Sequence, residues 1–265
     1  MSTSKAPIYA LCDTPKLDKI KWSNGFLQNS PKMGFFNVEG KSARFMSDRM
    51  RIAFTPRELI FESKKGAPPR YNLALSTKDC YDQFEALETR MCELIADKKE
   101  FLFGADTVKK IKSADTVKYH YLKSFMYGGS EDRTPLFTLK LPLDKKEDKE
   151  NEFKIVAYVD DVGKVRITRD NYKQYLRGGN EVEVIFHLKG AVAVGDNVHV
   201  MIEAEQMIIH PTELSEEDDA DYLPDDAILS FQRPVLERQT NDPIDVDADD
   251  VKENKTPKGT KRARK

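Results

Sequence analysis

Alternating apolar and polar residues recur along the chain and predict a protein built mainly from β-strands. The pattern is clearest at 136–141, 153–159, 164–168, 182–188 and 198–203, with shorter runs at 35–38, 49–54 and 71–75. A period of two places one row of side chains against a core and the other against solvent. In the run 49–54, Met50, Ile52 and Phe54 are predicted to share the core face, while Arg49 and Arg51 share the solvent face.

One long helix interrupts the strand pattern. Phe84, Leu87, Met91, Leu94 and Ile95 follow the spacing of a single helical face, so we assign them to the core. Residues 76–79 resemble a capping box, which predicts that the helix opens there and ends near residue 98. A helical turn is expected near 170–176. The pattern as a whole predicts a curled antiparallel sheet or small barrel with helical additions.

Charge divides the chain into unlike parts. Residues 213–250 hold 14 Asp/Glu against 2 Arg, a net charge of −12, and residues 251–265 hold 7 Lys/Arg against one Glu. The other 212 residues carry 34 basic and 30 acidic side chains. A segment as acidic as 213–250 is expected to be disordered. We therefore predict an N-terminal arm packed on the body (1–40), a strand-rich body (41–212), and an acidic tail with a basic end (213–265).

Familiar enzyme and metal motifs do not occur in the sequence. It contains no P-loop, dinucleotide-binding glycine motif, nucleophile elbow or H-E-x-x-H pair. The 3 cysteines and 4 histidines lack the spacing of a metal site, so we expect reduced thiols, no metal and no cofactor. Asp160 and Asp161 precede a glycine and are expected to form a hairpin turn. Because the familiar catalytic motifs do not occur, we expect a protein that is not an enzyme. With neither a secretory signal nor an apolar run of membrane-spanning length, we expect it to be intracellular.

Three segments combine basic side chains with aromatic rings, a combination typical of proteins that bind single-stranded nucleic acid. Cations follow the phosphates, and rings stack on unpaired bases at about 1–3 kcal/mol per base. The candidate binding residues are Arg49, Arg51, Lys118, Tyr119, Tyr121, Lys123, Tyr127, Lys164, Arg166, Arg169 and Tyr172. Each basic residue could instead lie on the solvent side of a strand, and each aromatic residue could lie in the core. The prediction of nucleic-acid binding therefore depends on their occurring together.

The second half of the body resembles the single-stranded-DNA-binding proteins of nucleo-cytoplasmic large DNA viruses. The resemblance lies in the strands at 136–141 and 153–159, the turn and strand at 162–168, and the paired segments 182–190 and 198–209. In that family these strands build an oligonucleotide/oligosaccharide-binding (OB) barrel, and an acidic C-terminal tail is common. The resemblance implies an OB-like antiparallel barrel or curled sheet that coats single-stranded DNA in viral replication, recombination and repair.

The resemblance and the tail together suggest partners and location. We expect single-stranded DNA on the body, replication proteins on the acidic tail, no membrane, and a chain that is compatible with homo-oligomer formation. The basic end at 257–265 suits nuclear import, so the host nucleus and a cytoplasmic viral replication site both remain open. Two other functions stay as alternatives: a minor capsid or scaffold protein of a large DNA virus, and a DNA-processing enzyme whose site lacks a familiar motif.

Overall fold

The computed structural model describes residues 7–12, 14–27, 32–59, 69–127, 135–144 and 151–212. The predicted disordered tail (213–265) lies outside these residues. The strands are β1 (Tyr9–Ala10), β2 (Ile20–Leu27), β3 (Lys32–Val38), β4 (Lys41–Ser42), β5 (Arg44–Met46), β6 (Met50–Phe54), β7 (Glu58–Leu59), β8 (Arg70–Ser76), β9 (Leu122–Lys123), β10 (Met126–Tyr127), β11 (Leu136–Leu141), β12 (Val156–Val159), β13 (Gly163–Val165), β14 (Glu181–Val194) and β15 (Asn197–His210). The helices are α1 (Thr14–Leu17), α2 (Tyr81–Asp97), α3 (Lys99–Leu102), α4 (Ala105–Lys110), α5 (Ala114–His120) and α6 (Tyr172–Tyr175).

Five of the strands pair in a ring around the core. β6 pairs with β8, β8 with β11, and β14 with both β15 and β6, all antiparallel, while β11 pairs with β15 in parallel. If the five strands are numbered in chain order, their order around the ring is 1-2-3-5-4, and strand 4 (β14) pairs with strand 1 (β6). This is the connectivity of a five-stranded Greek-key barrel of the OB type.

The ring is closed by short joints, so the sheet is strongly curled rather than a regular barrel. One residue pair, Lys140 with Glu203, joins β11 to β15, and two pairs join β14 to β6. The predicted fold class, mainly β with one long helix on a curled sheet, is confirmed. The sheet is mixed, however, and contains parallel pairs that the sequence did not predict. Among the residues that the structure describes it comprises 15 strands, several of only two or three residues, which are too short to show alternation.

β14 and β15 form one long hairpin that extends beyond the paired segments 182–190 and 198–209 indicated by the sequence. The strands continue to Val194 and from Asn197, and Gly195 adopts a φ of 59° in the turn between them. Residues 190–193 are all buried, and here β14 pairs with β3 at one edge and with β15 at the other. A strand covered on both faces loses the apolar–polar alternation that identifies half-buried strands.

The long helix has the predicted core face but a different beginning. Phe84, Leu87, Met91, Leu94 and Ile95 are all buried. The helix starts at Tyr81 behind Cys80, which makes no side-chain cap hydrogen bond. The predicted capping box at 76–79 is wrong, because the helix begins only at Tyr81 and the Ser76 hydroxyl accepts from the Lys78 backbone N–H at 3.4 Å, before the helix. The Thr77 hydroxyl donates to the Pro135 carbonyl at 2.6 Å. Thr77 therefore ties the helix entry to the segment that leads into β11.

The hairpin of β2 and β3 packs between β14 and the long helix. The Trp22 indole N–H donates to the Leu94 carbonyl of α2 at 2.8 Å. The Trp22 ring lies 4.4 Å from that of Phe36, and Phe26 lies 4.7 Å from Phe101. The hydrogen bond to α2 and the Phe26–Phe101 contact thus hold this hairpin to the helices, while the Trp22–Phe36 contact lies within the hairpin.

Gly190 is the position where β3 and β14 approach most closely, and we predict that Gly190→Ala destabilises the fold. An added Cβ would lie 2.0 Å from the Gly34 carbonyl oxygen and 2.8 Å from the Phe35 Cα, so backbone would have to move. Overpacking of this kind costs about 1–3 kcal/mol. Urea unfolding should show this loss as a lower midpoint.

Gly25→Ala provides the matched control for that substitution. Gly25 lies in β2 of the same three-stranded region, and nothing lies within 4 Å of an added Cβ. Its midpoint should stay close to wild type. Equal midpoints for the two variants would contradict the close approach at Gly190.

Candidate nucleic-acid interface

The outer face of β8 and β11 is set by the residues that fill the core. Tyr71, Leu73 and Leu75 on β8 and Phe137, Leu139 and Leu141 on β11 are buried. Their neighbours therefore point to the other side of the sheet, as the pleat requires. Cross-strand pairs place Asn72 opposite Lys140 and Ser76 opposite Leu136. We call this surface the β8–β11 face; its residues are Phe54, Arg70, Asn72, Ser76, Tyr127, Leu136 and Lys140.

Phe54 reaches this face through a β-bulge. Ile52 pairs with Leu75 on the core side, but Phe54 pairs with Ala74, which points outward. β6 therefore contains one extra residue between these pairs, and the extra residue reverses the side of the sheet to which Phe54 belongs. The prediction that Phe54 shares the core face with Met50 and Ile52 is wrong for this reason. Phe54 is half-buried and lies next to the outward residues of β8.

Tyr127 contributes the second ring. It pairs with Leu136 at the edge of β10 and exposes 40% of its surface. Burial, followed by the nearby Glu88 carboxylate, raises the pKa of the Tyr127 hydroxyl. Part of the Tyr127 side chain nevertheless remains open to solvent. A ring held in this way can stack on a base.

Cations border the two rings. The Lys140 ammonium lies 3.7 Å from one oxygen of Glu203, and the Lys189 ammonium lies 2.6 Å from the other. Both lysines therefore contact the same carboxylate, at the edge of the face. Arg70 lies at the start of β8, opposite Leu59 of β7. Rings next to cations are the two components that single-strand binding requires.

The predicted residues of 118–127 lie around α5 and β9. Lys118 makes an ion pair of 3.4 Å with Glu85 of α2, and Tyr119 is 76% exposed on α5. Tyr121 is half-buried, with its ring 5.4 Å from that of Phe103. Lys123 on β9 pairs in parallel with His199 of β15. Tyr127 is the member of this segment that the structure brings onto the β8–β11 face.

The predicted residues Arg49, Arg51 and Lys164 lie elsewhere, on the outer face of β14, β15 and β12. Arg49 contacts Glu181 at 3.5 Å and the Nδ1 atom of His210 at 2.8 Å. Arg51 pairs across the sheet with Glu181, and Lys164 pairs with Tyr158. We call this surface the β14–β12 face; its outward residues are Met46, Arg49, Arg51, Val156, Tyr158, Lys164, Glu181, Glu183, Ile185, Gln206, Ile208 and His210.

Arg166 and Arg169 each form an ion pair with a carboxylate. The Arg166 guanidinium lies 3.0 Å from Glu152. Arg169 lies 2.7 Å from Glu58 and donates to the Tyr71 hydroxyl at 3.1 Å. Arg169 thus fixes the polar end of a core tyrosine, which is a structural role.

Tyr172 is a core residue and not a stacking platform. It is 5% exposed, and its ring lies 5.3 Å from Tyr71 and 5.9 Å from Phe153, both edge-on. The prediction that Tyr172 contacts nucleic acid is therefore wrong. Its spacing from Leu176, one helical turn away and also buried, is the sequence signal for this packing.

The sequence did not indicate Phe54, Arg70 and Lys140 as members of the candidate surface. The signal for Arg70 and Lys140 was present, because both occupy the polar side of strands whose apolar side was recognised. Phe54 gave no such signal, since the bulge that turns it outward depends on pairing with β8.

Other sequence expectations concern thiols, turns and membranes. Burial raises the pKa of the Cys80 thiol to about 11 and that of Cys92 to about 12, so both stay protonated at neutral pH. Asp161 adopts a φ of 61° and Gly163 a φ of 84° in the turn between β12 and β13, as predicted. Within the described ranges, no group of His, Cys, Asp and Glu is arranged to hold a metal ion. None of the described helices has the length and apolar composition needed to cross a bilayer.

Comparison with known proteins gives no match to a protein-family model and none to a curated protein. Three solved structures of the single-stranded DNA-binding protein from bacteriophage Enc34 are similar to this chain. The complex with single-stranded DNA is 10% identical, with a TM-score of 0.39 over 75% of this chain and 98% of that one. A C-terminal truncation is 9% identical (TM-score 0.40, 74% and 98%), and the third structure is 12% identical (TM-score 0.37, 77% and 99%).

Glu88 lies beneath the segment that carries Tyr127, and we predict that Glu88→Gln changes how stability depends on pH. Glu88 is 4% exposed and accepts a hydrogen bond from the Ser124 hydroxyl. Burial raises the Glu88 pKa above its ordinary value of 4.5, so the folded state holds this proton to higher pH than the unfolded state does. The free energy of unfolding therefore falls as pH rises from 4.5 through the folded-state pKa, and Glu88→Gln should remove that fall.

Ser124→Ala supplies the companion measurement in the opposite direction. The Ser124 hydroxyl lowers the pKa of Glu88 by stabilising its charged form. Without the hydroxyl, the loss of stability with rising pH should be steeper than in wild type. Urea unfolding at a series of pH values measures both slopes, and parallel slopes in all three proteins would contradict the assignment.

Proposed function

We propose that this protein binds single-stranded DNA without sequence preference and that the bases stack on the β8–β11 face. One observation carries the proposal. The five-stranded ring has OB connectivity, and its second and third strands, β8 and β11, form the face on which barrels of this type bind oligonucleotides. Phe54 and Tyr127 border that face together with Arg70 and Lys140.

The chemistry of the face explains why the ligand should be single-stranded. Stacking on Phe54 and Tyr127 requires a base whose face is open, and duplex DNA hides those faces inside the helix. Every base has a π-face, so stacking distinguishes bases poorly. Lys140, Lys189 and Arg70 would follow the phosphates and release counterions, which makes the affinity fall with salt.

The biological role that fits this activity is coating and protection of exposed single strands, without catalysis. We place it in replication, recombination and repair of a large viral DNA genome, in the host nucleus or at a cytoplasmic replication site. The acidic residues of 213–250 would compete with DNA for the cations of the body. Once DNA displaces them, they would be available to replication proteins.

Tyr127→Ala should weaken binding to oligo-dT by about 5- to 150-fold, the loss expected for one base–ring stack. Tyr158→Ala is the matched control, because Tyr158 is 43% exposed on the β14–β12 face against 40% for Tyr127. Fluorescence anisotropy at nanomolar protein measures both affinities. Equal losses, or a loss confined to Tyr158→Ala, would place the bases on another surface.

Deleting residues 213–265 should tighten single-strand binding and flatten its dependence on salt. The segment 213–250 carries a net charge of −12 and acts as a tethered competitor for the same cations as the phosphates. Deleting 251–265 alone separates the effect of the basic end. Weaker binding after the full deletion would show that the tail assists DNA binding instead of competing with it.

A further inference from the structure

The β14–β12 face has an exposed apolar centre. Met46 is 37% exposed, Ile208 38% and Tyr158 43%. Cross-strand pairing places Ile185 between Met46 and Gln206, and Val156 lies beside Gln206 on the next strand. Ile208 pairs directly with Tyr158. The five apolar side chains therefore lie on one side of a continuous sheet that runs from β5 to β12. Apolar side chains grouped in this way on a surface mark an interaction site.

The charges around this centre argue against DNA as its ligand. On one side, Glu181, Glu183 and Asp160 accompany Arg49 and His210, and the His210 ring contacts Asp160 at 2.5 Å and Glu183 at 3.1 Å. On the other side, Glu205 contacts Arg44 at 2.5 Å and His187 at 3.5 Å. A polyanion gains little from cations already matched by carboxylates. An apolar centre with a charged border is instead the anatomy of a protein–protein interface.

One row of the face is complementary to itself. Glu183, Ile208, Tyr158 and Lys164 pair in that order across β14, β15, β12 and β13. The row has an acid at one end, a base at the other and apolar residues between them, over about 14 Å. A two-fold axis through its middle would bring Glu183 of each copy to Lys164 of the other. Ile208 of each copy would then pack against Tyr158 of the other, as a symmetric dimer requires.

We propose that the β14–β12 face binds a second copy of this chain in a two-fold symmetric dimer. The face measures roughly 19 Å across five strands and 20 Å along them, or about 400 Å². This is about half of the 800 Å² that each partner buries in an interface of standard size. The dimer is therefore a reversible one that forms at micromolar or higher concentration. The β8–β11 face of each copy takes no part in the contact and stays available.

Sedimentation velocity of the full chain without DNA tests the dimer, and Tyr158→Asp is the first variant. The wild-type chain should pass from monomer to dimer as its concentration rises from micromolar to several hundred micromolar. A carboxylate at the centre of the contact should hold Tyr158→Asp as a monomer throughout that range. Tyr119→Asp is the control, because Tyr119 is an exposed tyrosine on α5, and this variant should dimerise like wild type.

A charge exchange tests the two-fold arrangement itself. Glu183→Lys alone and Lys164→Glu alone should each weaken the dimer by about tenfold or more, because like charges would then meet across the axis. The double variant should recover an affinity within a few-fold of wild type. His210 loses its Glu183 partner in both the single Glu183→Lys variant and the double variant, so the recovery isolates the contact between copies.

Three results would overturn the proposal. A wild-type chain that stays monomeric at several hundred micromolar would mean that the face meets a different partner or the chain's own tail. A Tyr158→Asp variant that still dimerises would place the contact elsewhere. Failure of the double variant to recover, with circular dichroism showing all variants folded, would exclude the two-fold pairing of Glu183 with Lys164. None of these measurements contains DNA, so they are independent of the proposed DNA binding.

Discussion

The packing of aromatic rings inside the curled sheet is the interaction on which the rest of this structure depends. Phe84 of α2 lies 4.2 Å from Phe137 of β11, and Phe137 lies 5.5 Å from Phe186 of β14. All three are fully buried. These aromatic side chains join the long helix to β11 and to β14. The backbone pairing that closes the circle of strands is limited to one residue pair between β11 and β15 and two between β14 and β6. Burial of large rings contributes more to stability than those short joints can.

The same packing decides what each outer surface presents. Once Phe137, Leu139 and Leu141 enter the core, Leu136, Thr138 and Lys140 must point outward, because side chains alternate along a strand. On β14 and β15 the same rule turns Glu183, Ile185 and Ile208 outward. The molecule therefore has one outer face with rings beside lysines and another with an apolar centre between balanced charges. This difference is what separates a candidate DNA surface from a candidate protein surface.

Clusters along the sequence proved to be a weak guide to clusters in space. Lys164 is more than 100 residues from Arg49 and Arg51 in the chain, yet all three share the β14–β12 face with Glu181 and Glu183. Tyr127 lies next to α5 in the sequence, but pairing with Leu136 puts it on the β8–β11 face. Basic residues in a sequence show that the chain carries cations that could contact phosphates. The strand register decides which carboxylates lie next to those cations.

The sequence by itself determined the type of the strongly periodic elements, the buried face of α2 and the contrast in charge between a mildly basic body and an acidic tail. These features follow from local periodicity and composition, which need no knowledge of distant contacts. Only the tertiary structure decided the ring order of the strands, the bulge that turns Phe54 outward, the burial of Tyr172 and the partners of the arginines. Each of these depends on which strand lies beside which, and residues such as Lys140 and Glu203 meet only after the sheet has curled around its core.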